Sequence, residues 1–107
     1  MTHHPKQIGG GRKMFGDFAP KLAELTDDML FEDVWNRPEL SPRDRSIATL
    51  SALIALYRPD ELRAHLRRGI DNGLTTDELS ALITHLAFYA GFPAAISASA
   101  IAADTLL

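Results

Sequence analysis

The sequence predicts an all-α fold: a single domain of five to six helices that associates with copies of itself. Three observations carry this. Several segments open on helix N-terminal signals, apolar residues recur at spacings of three and four, and no run alternates with period two over a useful length. A chain of 107 residues without repeats or a linker has room for one core.

The elements follow in order. Residues 1–13 (MTHHPKQIGGGRK) have three consecutive glycines and no periodicity, so a mobile arm is expected there, with the helical domain over residues 14–107. Phe15, Phe18, Leu22 and Leu25 repeat at three and four over Met14 to Leu25, with Pro20 as an interruption or a first-turn residue. Thr26 is expected to cap a further helix whose first turn holds Asp27 and Asp28, and which stops before Pro38. Ser41-Pro42-Arg43-Asp44 opens another, with Ser as cap and Pro at the first helical position. That helix, running to about Tyr57, is apolar nearly all round from Ile47 and is expected to be the central buried element. Pro59-Asp60-Glu61 starts the next helix, which ends at Asn72-Gly73. Thr75 and Glu78 form a capping box for a helix reaching Ala90. Gly91 and Pro93 then turn the chain into a last helix of small residues.

Composition excludes several functions. Eleven basic and fourteen acidic residues give a net charge of −3, without the basic stripe that nucleic-acid binding requires. The absence of cysteine excludes disulfides, thiolate metal sites and thiol catalysis. Leu79 to Ala103 carries no Asp, Glu, Lys or Arg and is long enough to span a bilayer. Yet Gly91-Phe92-Pro93 divides it, so two short buried helices are expected rather than a membrane segment. No apolar leader stretch follows Met1, so a cytoplasmic location is expected. The same uncharged run exceeds what one small core absorbs, which favours oligomers.

Candidate chemistry concentrates in mid-chain. Arg37, Arg43 and Arg45 surround the N-terminus of the Ser41 helix, where dipole and free N–H groups favour a small anion, although composition alone favours their pairing on the surface with Asp44, Glu39 or Glu32. Glu61 lies four residues before His65, so acid and imidazole share one helix face. Two readings stand: the carboxylate raises the imidazole pKa and orients the ring for acid–base work, or, slightly favoured on the residues alone, the pair only stabilises the helix. His85 and Tyr89 form a second pair at the same spacing, read first as a buried structural histidine with its partner. Trp35 is read first as core. No HExxH motif and no carboxylate cluster point to a metal, and no phosphate loop or nucleophile elbow occurs.

The residue order Trp35-Asn36-Arg37-Pro38-Glu39-Leu40-Ser41-Pro42-Arg43-Asp44-Arg45-Ser46, then Glu61-Leu62-Arg63-Ala64-His65-Leu66, then Asn72-Gly73-Leu74-Thr75, then Tyr89-Ala90-Gly91-Phe92-Pro93-Ala94-Ala95 resembles the carboxymuconolactone decarboxylase family. The match runs from about Asp33 to the C-terminus. The alkylhydroperoxidase branch of that all-helical fold uses a Cys-x-x-Cys pair ahead of a histidine, with a glutamate on the preceding helix. His65 matches the histidine, but Arg58 and Glu61 stand at the thiol positions and Ser46 at the glutamate, so thiol peroxidase chemistry is excluded. The decarboxylase branch is the better match. It implies a lyase of aromatic-compound catabolism that decarboxylates γ-carboxymuconolactone or an analogue without cofactor or metal, in rings of three or six subunits. Carried onto this chain, the resemblance makes His65, Glu61 and Arg45 the catalytic candidates. Arg37, Arg43, Ser46, Trp35, His85 and Tyr89 become candidates for holding the substrate. The rival expectation is a catalytically degenerate member that binds a small anion or a partner protein.

Overall fold

Residues 10–107 are described by the computed structural model, and every regular element among them is helical, with six α-helices and no strand. Contacts divide the chain into two units, Met1–Pro42 and Arg43–Leu107.

In the first unit, α1 (Gly10–Phe15) begins inside the stretch expected to be a mobile arm; residues 1–9 of that stretch lie outside the described residues. The cause is Asp27, whose fully buried carboxylate accepts the N–H groups of Gly11 (2.8 Å) and Arg12 (3.2 Å). The Arg12 guanidinium adds a contact of 2.9 Å to Asp27 and one of 3.0 Å to Asp28. Glycine is needed at 11, since a Cβ there would stand 3.0 Å from the Asp27 oxygen and 3.2 Å from the Ala23 carbonyl.

Pro20 opens α2 (Pro20–Glu24), which runs on into a π-helical stretch over Leu25–Phe31. Thr26 therefore sits inside continuous helix instead of capping one, and its hydroxyl donates to the Leu22 carbonyl at 2.8 Å. The capping work expected near Thr26 is done by its neighbour Asp27, for a different helix. A 3₁₀ turn over Val34–Asn36 ends this unit's regular structure. Trp35, 4% exposed, stacks on Phe31 with ring centroids 6.1 Å apart.

The second unit is a four-helix assembly: α3 (Pro42–Ala55), α4 (Pro59–Asp71), α5 (Thr76–Ala90) and α6 (Phe92–Leu106). Its core joins Leu50 and Ile54 of α3, Leu62 and Leu66 of α4, Leu79, Ile83 and Leu86 of α5, and Ala95 and Ala98 of α6. Helix α3 contributes one face only: Leu50 and Ile54 are buried, Ile47 and Leu53 half-buried, and Leu56 exposed. The expectation of an element buried all round is corrected accordingly.

Two corners share one C-terminal geometry. After α3 the N–H of Arg58 donates to the Leu53 carbonyl (2.9 Å) and that of Tyr57 to Ile54 (3.2 Å). After α4, Leu74 donates to Gly69 (2.9 Å) and Gly73 to Ile70 (3.0 Å). Both are Schellman closures, which place the residue after the cap in the left-handed region. Gly73 takes that place at φ 105° without strain, whereas Tyr57 takes it at φ 55° with a Cβ. The capping box of α5 is formed as expected, with Thr75 and Glu78 each accepting the other's backbone N–H.

The uncharged run is split at Gly91 (φ 102°), and no helix among the described residues is long and apolar enough to cross a membrane.

Candidate functional site

The geometry centres on the packing of α3 against α4. Gly69 lets the helices close: a Cβ there would meet Leu74 at 3.2 Å, Leu50 at 3.4 Å and Ser46 at 4.0 Å. At this approach the side-chain amide of Asn72 donates to the buried Ser46 hydroxyl at 2.9 Å. At about 100° of rotation per residue, Asn72 stands almost directly in line with His65, two turns along α4, with Arg68 about 60° round. His65 and Arg68 thus share the flank of α4 whose C-terminal end is fastened to Ser46. Arg45 precedes Ser46 on α3 and is half-buried, and the Thr49 hydroxyl donates to its carbonyl at 2.8 Å.

Electrostatics in this region are set by burial. His65 is half-buried, and loss of hydration holds its pKa below the ordinary histidine value. The neighbouring Arg68 cation pushes the same way, and Glu61 pulls against both. Glu61 thus raises the His65 pKa as expected, but burial and Arg68 outweigh it, so the net shift is downward. The Glu61 carboxylate accepts from Arg58 Nε at 2.9 Å, which is also the first cause of its own lowered pKa. Burial also lowers the pKa of Arg68, against Asp71. A half-dry imidazole beside a half-dry guanidinium is suited to meeting an anion, since charge-assisted contacts strengthen as water is excluded.

The other sequence candidates are placed elsewhere. Arg43 pairs with Glu78, and its other nitrogen lies 3.8 Å from Asp44, so it braces the first turn of α3 against the start of α5. Arg37 pairs with Asp33 at 3.1 Å on the exterior of the first unit, and Trp35 is buried there. His85, expected to be buried, is exposed; its ring lies 4.8 Å from that of Tyr89, itself 79% exposed. The uncharged run misled this reading, because α5 turns Leu79, Ile83 and Leu86 inward and the His85 side outward.

Sequence reasoning missed Arg68 and Asn72 as members of the region. Their spacings of three and seven from His65 were the available signal. Among the described residues no three His, Asp or Glu side chains gather as a metal site. A groove of about 380 Å³ runs between α5 and α6. It has Leu79, Ile83 and Ala95 among its walls and Ser80, Thr84 and Ser99 at its polar points, and no ionisable side chain lines it. Its chemistry suits apolar contact, not proton transfer.

Comparison with known proteins adds the remaining support. The carboxymuconolactone decarboxylase family model matches residues 20–104. A 4-carboxymuconolactone decarboxylase of Acinetobacter baylyi is 40% identical over 93 residues, covering 87% of this chain and 69% of that protein. A nitrosuccinic acid decarboxylase of Metarhizium robertsii is 35% identical over 83 residues, 78% of this chain and 58% of that protein. With a family model matched over most of its length and a relative 40% identical, this chain belongs to the carboxymuconolactone decarboxylase family.

Proposed function

We propose that this protein is a decarboxylase of small carboxylated substrates, with γ-carboxymuconolactone or a close analogue as its substrate. The carrying observation is the 40% identity to a decarboxylase named for that compound, over a span that includes the half-buried His65. The second relative is named for a different acid, nitrosuccinic acid. Both names describe a carboxylate near an electron-accepting group, a lactone in one and a nitro group in the other.

The chemistry is then common to the two. The bond from carbon to carboxylate breaks, CO₂ departs, and the electron pair moves into the acceptor. A proton is then delivered to carbon. His65 is assigned the proton delivery. Its depressed pKa makes the imidazolium a stronger acid, and the negative charge of an arriving substrate offsets the Arg68 field so that the ring takes up its proton when needed. Arg45 is assigned to the oxyanion that develops as the electron pair moves. Glu61, paired with Arg58, acts on His65 through its charge.

Self-association belongs to the same reading, as a trimer or hexamer. Phe88, Tyr89 and Ile96 are 74%, 79% and 66% exposed on α5 and α6, which supports a covering partner surface. The test is CO₂ release from γ-carboxymuconolactone and, separately, from nitrosuccinate by the purified full chain. Release from either supports the decarboxylase. Release from neither, with the acids still bound, leaves the anion-binding alternative.

A further inference from the structure

Helix α4 is fastened to α3 at both of its ends. At the first, the chain itself turns the corner between them, and the Arg58 N–H donates to the Leu53 carbonyl at 2.9 Å. At the second, the Asn72 side-chain amide donates to the Ser46 hydroxyl at 2.9 Å, beside the close approach that Gly69 permits. His65 lies near the middle of α4 (Pro59–Asp71), between the two fastenings. The backbone of Asn72 is itself fixed, since its N–H donates to the Arg68 carbonyl at 2.9 Å and the Gly73 and Leu74 closures follow directly. Its amide therefore reaches α3 from a rigid base. The receiving end is equally constrained. Ser46 has no solvent exposure, so its hydroxyl is not open to a substrate, although the residue order made it a candidate for that. The other side chains near Gly69 are Leu50 and Leu74, whose apolar packing fixes depth but not direction. A hydrogen bond within such a surface does set direction, because a slide or rotation of one helix leaves a buried oxygen unpaired. Arg45 immediately precedes Ser46, so its backbone shares that reference point.

We propose that Ser46 and Asn72 are positioning residues: the bond between them sets how α4 slides and turns on α3, and so where His65 stands relative to Arg45. The catalytic consequence rests on the decarboxylase reading; the fastening itself does not. Without the bond, α4 keeps its corner before Pro59 and its apolar face, but its far end is released. A helix pivoting at one end carries its midpoint about half as far as its tip. A shift of roughly 2 Å at Asn72 then moves His65 by roughly 1 Å, and misplacement of that size costs up to about 10²-fold in rate. Substrate binding needs no alignment of the proton donor with the reacting carbon, so the loss falls on kcat and not on KM.

The experiment measures kcat and KM for CO₂ release from γ-carboxymuconolactone, His65 ring resonances by NMR, and thermal melting, all on the full chain. The variants are Ser46→Ala, Asn72→Ala and the two combined. Ser51→Ala is the control, since it removes an α3 hydroxyl that is bonded within its own helix. Each single variant is expected to lose at least about tenfold in kcat, with KM within about threefold of wild type. The double variant should lose no more than the worse single one, because all three lack the same bond. Ser51→Ala should behave as wild type, and a loss there equal to that in Ser46→Ala overturns the proposal. Wild-type kcat in either single variant overturns it too, whatever the melting temperature, because the pair then only holds the fold. So do losses that multiply in the double variant, and a raised KM with unchanged kcat, which would make the pair part of substrate binding. If Asn72→Ala melts below the assay temperature, Ser46→Ala decides alone; it leaves only a partly exposed amide to be hydrated. If the wild type releases no CO₂, the substrate reading fails and the His65 resonances decide. Asn72 is about two helical turns from His65, too far to act on the ring directly. A shared displacement of the His65 signals in all three variants supports the positioning role, and unmoved signals overturn it.

Discussion

Asp27 and Tyr57 are two residues whose local chemistry decides what their neighbours do. Asp27 has no solvent exposure, and its carboxylate is held below the ordinary carboxylate pKa, first by the Gly11 N–H and then by Arg12, against the cost of burial. A depressed acid contributes stability above its unfolded pKa and loses it as pH falls through the folded value, so α1 should loosen only in strong acid. Tyr57 stands in the left-handed region at the close of α3, with its side chain 62% exposed. A Cβ there costs about 1 kcal/mol that glycine does not incur. Tyr57→Gly is therefore expected to stabilise the fold by up to about 1 kcal/mol in urea unfolding; a destabilised variant would mean that the ring contributes more than the strain. The sequence displayed Tyr57 only as an apolar residue before Arg58-Pro59. Its conformation became visible once the α3 corner was closed by Arg58 and Leu53. The Glu61–His65 spacing acts with the expected sign and is outweighed, since burial and Arg68 lower the His65 pKa more than Glu61 raises it. The i+4 spacing is real, but Arg58 lies three residues before Glu61 and offers a full positive charge.

At the scale of elements, α3 to α6 were legible because their ends are written in short codes. Pro42 and Pro59 open helices, Thr75 and Glu78 box a third, and Gly73 and Gly91 end two. The first unit was less legible. A π-helical stretch has no sequence code of its own, so the passage from α2 through Leu25–Phe31 read as a stop at Thr26 followed by a new start. The helical end of the presumed arm depended on Asp27, sixteen residues beyond Gly11, and local pattern carries no such information. The α5 start shows what a cap is worth when it has a second task. Glu78 accepts from Thr75 with one oxygen and from Arg43 with the other, joining the cap of α5 to the first turn of α3. Thr75→Ala is expected to cost about 1 kcal/mol, measured by thermal unfolding, and to leave the Arg43–Glu78 pair in place. A loss several times larger would mean that the brace fails with the cap.

For the whole molecule, the family and the helical class could be read from the order of motifs, whereas the surroundings of the catalytic candidates could not. Arg37, Arg43, Trp35, Glu61, His85 and Tyr89 are each held by a structural neighbour or set on the exterior. What determined those placements was helix rotation and competition between partners, which a linear spacing does not rank. The exposed Phe88, Tyr89 and Ile96 beside an uncharged groove lead to the assembly prediction: sedimentation at micromolar concentration should give a trimer or hexamer, and an 11.7 kDa species would contradict it. The central claim is proton delivery by His65. Its most direct test is the pH profile of kcat/KM for CO₂ release from γ-carboxymuconolactone, on the wild type and His65→Ala. If the acid form of His65 delivers the proton, its depressed pKa makes wild-type kcat/KM fall as pH rises through a value below that of ordinary histidine. His65→Ala should lose that inflection together with roughly 10² to 10⁴ of the rate. A His65→Ala enzyme with wild-type turnover and the same pH profile would contradict the account.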